Sequence, residues 1–142
     1  MKNNYLLGFA KDRLQQWFLY WLVLGGGFII LLFLITSTWI GVDVRGRCQT
    51  AQGRYKGDCV EALIQVIDNN ANSFRDRNYA IWALGQIGDP RAKTILEKYY
   101  TGKIPPREPY DAGLSQYEME KALKLVKGGT NVTHLVWNPN RL

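Results

Sequence analysis

The feature that most constrains this chain is a run of 24 residues without a single charge, WFLYWLVLGGGFIILLFLITSTWI, from Trp17 to Ile40. At ~1.5 Å rise per residue a helix of that length reaches ~36 Å, enough to cross a hydrocarbon core of ~30 Å with some tilt. Trp17, Tyr20 and Trp21 stand at one end and Trp39 at the other, where amphipathic rings meet lipid headgroups. Charges begin at once outside it, with Lys11, Asp12 and Arg13 on one side and Asp43, Arg45 and Arg47 on the other. The run predicts one membrane-spanning helix. The competing reading is a cleaved signal peptide, whose apolar core is ~7–15 residues long and leads to a small-residue cleavage site. This run is longer and ends in Thr38-Trp39-Ile40-Gly41.

The span carries no Asp, Glu, His, Lys or Arg. It therefore offers no proton relay, ion site or haem ligand, and reads as an anchor or packing element. Gly25, Gly26 and Gly27 lie in its middle, and glycine allows a second helix to approach closely in lipid. They are candidate interface residues; the plainer reading is that glycine is common in membrane helices.

Of 142 residues, about 100 follow the span, which suits one small domain. From Gly41 onward there are 15 Lys/Arg against 11 Asp/Glu, a balance of +4 with no basic run. That pattern reads as a solvated mixed surface rather than a nucleic-acid footprint. Basic residues on the two sides of the span nearly balance, Lys2, Lys11 and Arg13 against Arg45, Arg47, Arg54 and Lys56, so the positive-inside rule does not decide orientation. Cys48 and Cys59, the only cysteines, bracket a short polar stretch. A bond between them would close a small ring and would persist only outside a reducing cytosol. This favours an extracytoplasmic domain, periplasmic in a bacterium; two reduced thiols facing the cytosol remain the alternative.

Residues 1–16 read as a polar segment with an apolar patch at Tyr5, Leu6, Leu7 and Phe9, an interfacial helix leading into the span. Residues 41–57, rich in Gly and Arg without helical period, read as a linker. Four amphipathic helices follow in a domain over 58–128, at about 59–70, 75–88, 91–101 and 115–127. Each carries apolar residues at i, i+3, i+4 and i+7: Val60, Leu63, Ile64, Ile67 in the first; Ala80, Ala83, Leu84, Ile87 in the second; Ala92, Ile95, Leu96, Tyr99 in the third; Met119, Ala122, Leu123, Val126 in the fourth. Asp58 with Glu61 and Ser115 with Glu118 have capping-box spacing, and Asp89-Pro90 is a helix start. None of the four is long enough to stand alone in water. The expected fold is all-α: one N-terminal transmembrane helix, then paired antiparallel helices, then a tail over 129–142.

Residues 77–96, RNYAIWALGQIGDPRAKTIL, resemble the short bacterial HEAT-like repeats of the PBS-lyase type. Arg77, Ala80, Ala83, Leu84, Gly85, Ile87, Gly88, Asp89, Ala92 and Leu96 all fall on the pattern of those repeats. The resemblance implies a two-hairpin helical stack with a binding or scaffolding role, and it places Arg77 and Asp89 at repeat junctions. A stack of two hairpins is short of the usual three, so its cover must come from the tail, the 41–57 stretch or a partner. Some relatives of such repeats are bilin lyases or metal-dependent hydroxylases with His-Glu pairs; this chain has one histidine, His134, and no such pair.

No nucleophile-and-base pair, phosphate loop, dinucleotide fingerprint or metal-ligand cluster is legible, so the expectation is no catalytic, cofactor-binding or metal residue and no cofactor. On a helical wheel Trp82 lies about 200° from Ala80 and points away from the apolar stripe. With Leu135 and Trp137 of the tail it is a candidate interface residue, or the tail covers it. The Pro-rich stretch Lys103–Tyr110 is a further candidate contact. Together these features predict a non-catalytic, single-pass membrane accessory subunit that docks on other subunits of a larger complex. A tethered receptor for a soluble peptide or protein is the alternative, and a pigment-lyase-like enzyme the third.

Overall fold

The computed structural model describes residues 2–108 and 110–138, and for residues 2–12, 14 and 15 the backbone alone. Its elements are α1 (Lys2–Gln52), α2 (Cys59–Asp68), α3 (Phe74–Ile87), a 3-10 turn (Pro90–Ala92), α4 (Lys93–Tyr99), α5 (Gln116–Val126) and a second 3-10 turn (Val132–Leu135), with no strand among the described residues. The chain divides into two units, one ending at Thr36 and the next beginning at Ser37.

The first unit is the N-terminal part of α1, which holds most of the apolar run. Every side chain from Gln16 to Leu32 is exposed, large apolar ones included. Such a surface has no stable arrangement in water and suits hydrocarbon. Thr36 returns its hydroxyl to the carbonyls of Leu32 and Phe33 at 2.8 and 3.1 Å, so its polar group is satisfied within the helix. This helix is long and apolar enough to cross a membrane.

The second unit begins with a departure from the sequence reading. The stretch 41–57, expected as a linker, continues α1 to Gln52; only the turns before Asp58 are non-helical. The reason is a buried stripe made of small residues: Ser37, Gly41, Val44, Cys48 and Ala51. Their spacing of four and three is that of one helical face. The stripe escapes detection because its side chains are small and are interleaved with Arg45, Arg47 and the glycines of the same stretch.

The four amphipathic helices form as their stripes require, within a residue or two of the expected bounds. Asp58 closes a full capping box, accepting from Glu61 N at 2.9 Å while Glu61 Oε2 accepts from Asp58 N at 3.3 Å. Ser73 caps α3, and Gly88 ends it at φ 70°, a left-handed conformation that favours glycine. The third expected helix, 91–101, is shorter: Pro90–Ala92 forms a 3-10 turn, α4 follows, and Tyr100 is already extended. Ser115 caps α5 through Glu118 N, but the reciprocal half of the expected box is absent. Ser115 N instead donates to Asn78 Oδ1 at 2.8 Å.

Helix α3 lies between α2 and α5, and α4 packs on α5. Ile67, Ile81, Leu84, Leu96 and Met119 are fully buried in one core with Leu63 and Val44. Gly85 lets α3 and α5 approach: a Cβ there would lie 2.8 Å from both Cα and Cβ of Ala122. Because the clash includes backbone, Gly85→Val is expected to destabilise the protein by ~1–3 kcal/mol. The check is the urea midpoint of the full-length protein in detergent, and an unchanged midpoint would mean that the two helices are not packed this closely.

Candidate interaction surfaces

The side chains that look most chemical in sequence are occupied in holding the second unit together. Arg77 is buried; its Nε donates to Ile67 O at 2.8 Å, and its guanidinium lies 5.3 Å from the Tyr99 ring centroid. It therefore links the end of α2 to α4 across α3. Arg91 bridges Asp58 and Asp89, with Nη1 2.6 Å from Asp58 Oδ2 and Nη2 2.9 Å from Asp89 Oδ2. The caps of α2 and of the Pro90 turn are thus tied through one guanidinium. The Glu61 amide, then Arg91, holds the Asp58 carboxyl below its ordinary value of 3.8, and Arg91 does the same for Asp89. Depressed carboxyl values contribute stability above the ordinary pKa, and that contribution is lost as pH falls through the folded values. These pairs are largely solvent-accessible, so their contribution is small.

The bend between α4 and α5 is held by groups that the sequence reading missed. Asn78, fully buried, donates from Nδ2 to Tyr110 O and Gly113 O at 2.8 and 2.9 Å, and accepts from Ser115 N. Glu108 accepts from Ser115 Oγ at 2.6 Å and Gln116 N at 2.8 Å at the start of α5. Arg75 meets Asp111 with two bonds of 2.9 Å. The candidate contact Lys103–Tyr110 is thus pinned to the domain near its end; Pro109 lies outside the described residues. An Asn beside the motif arginine was the one available signal, and nothing in its spacing distinguished it from a solvated residue.

The tail is a clasp. Gln86 O, one of the last carbonyls of α3 with no partner inside the helix, receives Asn131 Nδ2 at 3.0 Å and His134 Nε2 at 2.6 Å. A carbonyl only accepts, so His134 carries its proton on Nε2. The His134 ring meets Trp137 edge-on at 5.0 Å, and Trp137 Nε1 donates to Thr133 Oγ1 at 2.9 Å. The indole seats on Gly41 of α1, where a Cβ would fall 2.8 Å from Trp137 Cγ.

Two interface expectations therefore change. Trp137 is 6% exposed and belongs to the core, because the glycine in α1 leaves room for its ring. Trp82 is half-buried and packs on the core rather than standing free. Leu135, in contrast, is 84% exposed. Trp82 also borders an open groove between α3 and α5, lined by Gly85, Gln86, Lys121, Lys124 and Leu125. Gly25, Gly26 and Gly27 lie on the apolar helix with open space around each. These glycines belong to the first unit, and Trp82 and Leu135 to the second. No group of three or more potential metal ligands occurs among the described residues.

Cys48 and Cys59 are bridged, with Cα atoms 4.9 Å apart and both residues buried. The bond joins the end of α1 to the first residue of α2 across the turn. In the chain-entropy model a ring of this size is worth about 3 kcal/mol. The expected outcome for intact cells is that neither thiol reacts with a maleimide until the protein is unfolded and reduced. Alkylation of both on unfolding without reductant would exclude the bond.

A family model described as PBS lyase HEAT-like repeat matches residues 76–101. Those residues cover α3 from its third residue, the Pro90 turn and α4, with Arg77 and Asp89 among them. No curated protein and no solved structure matches the chain.

Proposed function

We propose that this protein is a non-catalytic, single-pass membrane accessory or assembly subunit, anchored by 17–40 and docking on other subunits of a larger membrane complex. The observation that carries this reading is the pairing of one apolar helix of spanning length with a unit that contains a HEAT-like repeat. Repeats of this kind stack to bury a shared core and leave a broad face for a protein partner. The polar residues of the unit support the same reading: Arg77, Asn78, Glu108 and His134 are each engaged in capping or bracing contacts.

Docking would use Gly25–Gly27 within the bilayer, where small residues admit a neighbouring helix, and the α3–α5 groove outside it. The Cys48–Cys59 bond supports an extracytoplasmic position for the domain, since such bonds persist on the oxidising side of a membrane. A second reading is a tethered receptor for a soluble peptide or protein. It is favoured by the same groove, which is open and carries Lys121 and Lys124 on its rim.

Purification of the full-length protein in mild detergent, followed by mass spectrometry, separates the two. The subunit reading expects membrane proteins at fixed stoichiometry with the chain, and loss of at least part of that set from Gly26→Leu, a change at a position with free space around it. Recovery of the chain alone, with the variant no different, would overturn the subunit reading and leave the receptor.

A further inference from the structure

Two open clefts of the second unit, one apolar and one of mixed lining, border the same turn of α1. On one side Thr38, Trp39, Ile40, Val42 and Asp43 form a shallow apolar cleft with Trp82 of α3. Trp39 is 74% exposed and Val42 63%. On the other side Thr38, Gly41, Val42 and Arg45 form a cleft with the tail, from His134 to Asn138. Leu135, the most exposed large apolar side chain of the unit, stands on its rim. The charges at this level are Asp43, paired with Arg47 at 3.4 Å, and Arg45, exposed and without an ion pair among the described residues.

We propose that these surfaces are a collar that seats the domain on the lipid surface: Trp39, Val42, Trp82 and Leu135 enter the boundary between headgroups and acyl chains, and Arg45 meets a lipid phosphate. This rests on the reading of 17–40 as a membrane span.

Depth along α1 carries the argument. Trp39 is the aromatic residue that closes the apolar run. At ~1.5 Å per residue, Val42 lies ~4.5 Å and Arg45 ~9 Å further along the helix axis. The polar layer on each side of a bilayer is ~5–7.5 Å thick, taking ~40–45 Å for the whole and ~30 Å for the core. The helix from Trp39 to Arg45 therefore crosses this layer, the long Arg45 side chain reaches back to its outer edge, and Trp82 and Leu135 are at its level because they share clefts with residues 38–45.

The second argument is placement around the helix. The two clefts share Thr38 and Val42, so the exposed groups run on around α1 from the Trp82 side to the tail side. A protein partner takes one face; lipid surrounds an emerging helix. Half-buried tryptophan with an exposed leucine and an arginine at graded depth is the composition of an interfacial belt.

The test is tryptophan emission from the full-length protein in vesicles of phosphatidylcholine and phosphatidylglycerol, with and without bromine high on the acyl chains. Bromine quenches near contact, and the difference between the parent and Trp82→Phe isolates Trp82; Trp39→Phe isolates Trp39. The collar expects both components to lose at least half of their emission in brominated vesicles, and an added probe, Leu135→Trp in the Trp82→Phe background, to be quenched as well. Quenching of Trp39 with Trp82 and the added probe untouched would overturn the collar and leave the span intact. That outcome would assign Trp82 to a protein partner or a second copy. No quenching of Trp39 or Trp82 would overturn both the collar and the span.

Discussion

A stack of two helical hairpins exposes more apolar surface than its own helices can cover, and everything else in the second unit follows from how that surface is closed. The closure is the last four turns of α1. Val44, Cys48 and Ala51 are buried in the same core as Leu63, Ile81 and Leu84. The residues are small because helices and an indole must approach the backbone closely: Trp137 occupies the place where Gly41 lacks a side chain. The Cys48–Cys59 bond holds the end of this helix to the start of α2. In a longer solenoid a third repeat would do this work. Here the same helix that begins as an apolar run ends as part of a folded core.

The polar chemistry of the unit serves the same closure. Gln86 O receives the tail through Asn131 and His134, so the end of α3 is capped by residues some 45 positions further along the chain. Asn78 meets three backbone groups of the loop before α5, and leaving any of them unpaired in the interior would cost ~1–3 kcal/mol. Arg77 and Arg91 brace successive hairpins. With these conspicuous side chains engaged in bracing contacts, the functional reading turns on faces and grooves.

Most of the fold was legible in sequence. The four short helices were, because each buries large apolar residues at i, i+3, i+4 and i+7, and because Asp58, Ser115, Gly88 and Asp89-Pro90 mark their ends. The helix over 41–52 was not, since its buried face is made of small side chains, Gly41, Val44, Cys48 and Ala51, set among arginines and glycines. Trp82 was misplaced for a related reason. The helical wheel assumes one buried face, but α3 is central: Arg77, Asn78, Ile81 and Gly85 are buried beside Ala80 and Leu84. Its buried arc is wide enough to draw Trp82 partly inward. The inward turn of Trp137 depended on a glycine almost a hundred residues earlier, and no local pattern connects the two.

The central claim is that α1 continues past the apolar run and is part of the domain core. Native-state hydrogen exchange on the full-length protein in nanodiscs tests it most directly, read at the amides of Val44, Cys48 and Ala51. If these residues belong to the core, they open only with it, and their exchange free energy equals that of Leu63 and Leu84. Exchange at those three amides at the rate of a free loop, with Leu63 and Leu84 still protected, would show that the stretch is a linker and would contradict the account.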